Sequence, residues 1–181
     1  MVSILSWVVR LLDGINEYVG RTVSWLTVFM VLVVTLIVIM RYIFSIGFIW
    51  MQESYVWAHA IVFMLGAGYT LLHDGHVRID IFYRTASQTY RDVVNIVGCI
   101  IFVLPICWII FDRSIGYITR SFGVMESSAE AGGMPFLFVL KGMIWGFSFL
   151  LAIQAISLIL RSLLSIAGHQ VEPNYQDENA A

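Results

Sequence analysis

The residues best equipped for chemistry are four histidines, His59, His73, His76 and His169, and two ionisable groups set among apolar neighbours, Glu53 and Lys141. Facing histidines could hold a haem iron or a metal ion, and a carboxylate or amine inside a membrane could carry protons. Spacing argues against each. Two histidines that ligate one haem must meet from different helices at matching depth. Here His59 and His73 share one apolar run, His76 lies just past its end, and His169 sits in a polar tail. A structural zinc site needs Cys and His at closer spacing than this chain offers. No nucleophile stands at usable spacing from a base, so no catalytic residue, metal ligand or cofactor is expected.

The composition says what surrounds these groups. Of 181 residues, 60% are hydrophobic and 12% charged, where an ordinary soluble domain is roughly 25% charged. With a mean hydropathy of +0.86, the apolar surplus needs lipid to cover it, so the chain reads as an integral membrane protein. A net charge of −2 leaves no basic patch for a phosphate backbone, and nucleic acid is excluded as a partner. Cys99 and Cys107 lie in one apolar run, about 12 Å apart if helical. That is too far for a disulfide, so both read as packing residues. The start lacks the basic region and small-residue cleavage site of a signal peptide, and the N-terminus is expected to be retained.

A spanning helix needs about 20 mostly apolar residues. Four segments qualify, at about 22–44, 49–72, 93–111 and 135–160, giving an all-α membrane protein of one membrane domain with a polar C-terminal tail over 165–181. All must be helical, since an open strand in lipid leaves backbone groups unpaired. Ahead of the first span, Ser3, Ser6, Arg10, Asp13, Glu17 and Arg21 recur at intervals of three or four, opposite Ile4, Leu5, Val8, Leu11, Leu12, Ile15 and Val19. That pattern predicts an amphipathic N-terminal helix over 3–21, lying in the membrane surface or against a partner helix. Arg10, Arg21, Arg78, Arg84, Arg91 and Arg161 fall on the side of the termini, against Arg41, Arg113, Arg120 and Lys141 on the other. The excess of positive charge places both termini in the cytoplasm.

Within this frame LLHDGHVRIDIFYR, residues 71–84, is the exit of the second span, with His73 and His76 at headgroup level. Asp80 suits the N-cap of a short surface helix. Glu53 and Lys141 sit near the outer ends of their spans; a charge deep in a span is costly, so each is expected to meet the other, a partner subunit or lipid headgroups. Pro105 is expected to kink the third span. In the fourth, Gly142 and Gly146 form a GxxxG, repeated in kind by Ser148 and Ala152, which implies a closely packed neighbour in this chain or another.

Trp50 and Glu53 as W-x-x-E, LGAGY at Leu65 to Tyr69, HVRID at His76 to Asp80, and GGMPFLFVLKGMIWGFSFLLAIQ at Gly132 to Gln154 together resemble the small membrane (Q-type) subunit of tripartite ATP-independent periplasmic (TRAP) transporters. The resemblance covers roughly residues 20–162 and the order of the spans. It implies a small permease subunit in the bacterial inner membrane that scaffolds a large membrane subunit. That partner carries the transport site, while a periplasmic solute-binding protein delivers an organic carboxylate taken up with sodium. Trp50, Glu53, His76, Arg78, Asp80 and Lys141 are then the candidate contacts with the large subunit or with membrane lipids. The alternative is a haem-binding or purely structural anchor subunit of a redox complex.

Overall fold

A computed structural model describes residues 2–76 and 86–169. The described residues are helical throughout their ordered elements and contain no strand, as lipid requires of a chain that must pair its own backbone groups. Helix α1 spans Val2–Ile43 and α2 spans Ile49–Leu72. The third span is built from α3 (Gln88–Gly98), a π turn (Cys99–Val103) and α4 (Leu104–Gly123), and α5 runs Leu137–Ile166. Each of these four units is long and apolar enough to cross a membrane.

The helices do not form a closed bundle. α1 packs on α2, α2 on α5, and α5 on α4 and α3, while the N-terminal half of α1 reaches past α2 to lie along the C-terminal half of α5. The result is a layer of helices open on its faces. The most apolar stretch of α1 has no buried residue in its window, and Val31, Leu32, Tyr42 and Ile43 on it are more than 60% exposed.

Two expectations for the N-terminal segment need correction. The surface helix over 3–21 is not a separate element; α1 runs without a break into the first span. Nor do its faces divide as the sequence pattern suggested, for Asp13 and Asn16 are buried with Val9, Gly20 and Val23, while Ile4, Trp7 and Tyr18 are exposed. The cause is α5, which supplies hydrogen-bond donors that the carboxylate would otherwise seek from water or headgroups. The helix of the third segment continues past the apolar run 93–111 at both ends, with Asp92 and Asp112 inside it; Asp92 is buried and accepts from Ser165 Oγ at 2.7 Å and Gln88 Nε2 at 3.1 Å. Likewise α5 continues to Ile166 because Arg161 and Ser165 find partners in α1 and α3.

Pro105 acts one turn upstream. Lacking an N–H, it cannot close the bond to the fourth residue before it, and the helix widens into the π turn, where Leu104 N–H reaches Cys99 O. Cys99 opens this turn and Cys107 lies four residues past its end; both are buried, and neither is in a disulfide among the described residues. The α2 terminus explains the abrupt change at LLHDGH. Gly75 N–H bonds Thr70 O at 2.8 Å and Asp74 N–H bonds Leu71 O at 3.3 Å, with Asp74 at φ 55°. This is a Schellman stop with an aspartate in the left-handed position. Met125 fills the same position after α4, at φ 49°, with Glu126 N–H on Ser121 O. Ser87 caps the start of α3, its Oγ accepting from Tyr90 N–H at 3.4 Å. The helix expected after Asp80 lies outside the described residues.

Candidate functional site

Polar side chains gather at two levels. α5 carries Gln154, Ser157 and Arg161 at intervals of three and four, so they share one face. α1 presents Asp13 and Asn16 to that face. Asp13 accepts from Ser157 Oγ at 2.6 Å and from Gln154 Nε2 at 3.0 Å, and it is ion-paired with Arg161 Nη2. Asn16 Nδ2 donates to Gln154 Oε1 at 2.9 Å and Leu150 O at 3.3 Å. Asp13, Asn16, Gln154 and Ser157 are each at most 1% exposed.

α2 closes the third side of this junction through two glycines' worth of space. A Cβ on Gly68 would lie 2.0 Å from Asn16 Oδ1 and 2.9 Å from Leu150 O, and one on Gly20 would strike the Tyr69 ring. Among the described residues Asn16 Oδ1 makes no conventional hydrogen bond; it occupies the space that a Cβ on Gly68 would take. One turn further out, Glu17 holds Arg21 Nε at 2.5 Å and His73 Nε2 at 2.7 Å, and the His73 ring lies 4.2 Å from that of Tyr69.

The second level is about 30 Å away, taking the twenty residues between Lys141 and Arg161 at 1.5 Å each. Here Glu53 on α2 reaches the loop joining α4 and α5: it accepts from Met134 N–H at 2.6 Å and from Ser128 Oγ. Ser128 N–H in turn bonds Met134 O at 3.0 Å. Lys141 on α5 pairs with Glu126 at 2.5 Å and stands 4.3 Å above the Tyr117 ring. The ammonium holds the Glu126 carboxyl below the usual glutamate range, with the Ser121 hydroxyl a smaller contributor.

Each residue singled out from sequence can now be placed. Glu53 and Lys141 do not pair with each other; each has a partner within the α4–α5 region of the same chain. Trp50 is half exposed at the start of α2, beside Phe48. His76 is exposed beyond the end of α2. Arg78 and Asp80 lie outside the described residues. The GxxxG serves two neighbours in this chain: a Cβ on Gly142 would touch the Phe122 ring at 3.4 Å, and one on Gly146 would meet Leu65 at 2.6 Å. His59 is exposed along a groove between α1 and α2 that Met30, Val34, Tyr55 and Val56 also line. Among the described residues no group of three or more His, Cys, Asp or Glu side chains converges as a metal site would.

The Asp13–Arg161 network was missed from sequence, although Gln154, Ser157, Arg161 and Ser165 on one face of α5 were its signal. What the arrangement does is hold helices to one another: its carboxylates are occupied by hydroxyls, amides and cations of the same chain. The profile of the family described as "Tripartite ATP-independent periplasmic transporters, DctQ component" matches residues 30–165. No curated protein and no solved structure matched the chain.

Proposed function

Because the chain belongs to the DctQ-component family of tripartite ATP-independent periplasmic transporters, we propose that it braces the large membrane subunit of such a transporter and moves no solute itself. Membership already makes it a small permease subunit in a multi-pass membrane assembly. The finer reading is that a periplasmic binding protein delivers an organic carboxylate, that the large subunit carries it across with sodium, and that this chain sits in the inner membrane with both termini cytoplasmic. Trp50, Glu53, His76, Arg78, Asp80 and Lys141 are the proposed contacts with that subunit or with lipid.

The observation that carries the bracing role is where the polar groups go. Asp13, Glu53, Lys141 and Arg161 all meet partners in this chain, so these four charges tie a helix to the next helix or to the loop beside it. A transport path would need such groups turned toward a cavity. Meanwhile the most apolar stretch of α1 has no buried residue, a broad apolar face for a larger neighbour.

Reconstitution into vesicles tests this. With the large subunit and the binding protein present, a sodium gradient should drive carboxylate uptake; with this chain alone, none should occur. Sodium-dependent uptake by the isolated chain would overturn the bracing role.

A further inference from the structure

Between the last turn of α4 and the first turn of α5 lies a cleft of about 440 Å³, lined by Tyr117, Arg120, Ser121, Val124, Glu126 and Lys141. We infer that it takes the phosphate of a phospholipid headgroup. Its charges do not cancel: Lys141 is neutralised by Glu126, whereas exposed Arg120 forms no ion pair among the described residues. One guanidinium is therefore left over, and its planar fork suits phosphate oxygens.

Depth and surroundings choose a lipid over a free anion. The cleft lies one hydrocarbon thickness, about 30 Å, from the Asp13–Arg161 pair, which places it among headgroups. Tyr117, Val124 and Met125 beside it are 53%, 70% and 67% exposed, apolar surface that a glycerol backbone and acyl chain would cover and that inorganic phosphate would leave bare. The volume suits a headgroup, since small-molecule pockets run from about 300 to 1,000 Å³. No partner subunit is needed to form it.

The test is native mass spectrometry of the full chain purified in detergent and titrated with phosphatidylglycerol. The wild type should retain one lipid per chain, and Arg120→Gln should weaken retention about tenfold, the loss expected of one charge-assisted pair. Arg10→Gln, an exposed change at the far end of α1, should leave retention unchanged. Diacylglycerol, which lacks the phosphate, should not be retained, and excess inorganic phosphate should not displace the lipid. Undiminished binding by Arg120→Gln, or equal retention of diacylglycerol, would overturn the site. Displacement by inorganic phosphate would show a site for the free anion and overturn the lipid assignment. The diacylglycerol and phosphate arms use the wild type, so the result does not depend on how the variant folds.

Discussion

Replacing Asp13 by leucine tests the α1–α5 junction. The change removes the carboxylate that receives Ser157, Gln154 and Arg161 at a position 1% exposed, and leaves Arg161, with only 18% of its side chain exposed, facing an apolar group. Breaking one partner of a buried pair costs about 3–5 kcal/mol, because the remaining charge stays desolvated. Set against a whole-domain stability of about 5–15 kcal/mol, that should visibly lower the unfolding midpoint. Removing both charges avoids the stranded cation, so Asp13→Leu with Arg161→Leu should recover most of the loss, with a coupling of about 2–3 kcal/mol in a double-mutant cycle. By contrast Arg21→Gln, at a cation whose side chain is 59% exposed, should cost under about 1 kcal/mol. The assay is detergent unfolding of the purified chain followed by helical circular dichroism. If Asp13→Leu costs less than about 1 kcal/mol, or the two single losses simply add, the junction is not held as described.

Three further outcomes follow from the geometry. Glu53→Gln weakens the acceptor for Met134 N–H and Ser128 Oγ, so exchange of the Met134 amide should rise about tenfold, a loss of about 1.4 kcal/mol; unchanged protection there would mean that Glu53 does not hold the loop. Gly68→Ala forces a Cβ within 2.0 Å of Asn16 Oδ1 and should destabilise by about 1–3 kcal/mol, whereas Gly66→Ala on the same helix meets nothing within 4 Å and should gain up to about 1 kcal/mol; equal effects on the melting temperature would contradict the close approach. Since Lys141 depresses the Glu126 pKa, the stability from this pair is fully present above the ordinary glutamate pKa and disappears as pH falls through the lowered value. Melting curves should therefore show Glu126→Gln losing the wild-type advantage at neutral pH and converging with it only in strong acid; parallel curves at every pH would refute the pairing.

The all-helical fold with four helices long and apolar enough to span was readable because lipid leaves few choices. The polar stripe on α1 was equally visible, but a stripe looks alike whether it meets water, headgroups or another helix. Only the matching stripe of Gln154, Ser157 and Arg161, some 140 residues on, shows that it turns inward. Glu126 and Lys141 are joined across a loop whose path no periodicity fixes, so the pairing of Lys141 was left open and its true partner was not considered. Helix ends were unequally marked. Gly168, at φ 82° after α5, is the usual residue for a left-handed stop; Met125 and Asp74 do the same work with side chains that do not announce it. Pro105 signalled a distortion without showing that it would become a π turn one step earlier.

The bracing role stands or falls on whether this chain has a large partner in the membrane. The direct measurement is affinity purification of the tagged chain from its native membrane in mild detergent, with co-eluting proteins identified and their ratio determined. A single much larger multi-span membrane protein should elute in fixed stoichiometry and survive size-exclusion chromatography. A chain that elutes alone or only with copies of itself, under conditions that preserve its helical content, would contradict the account.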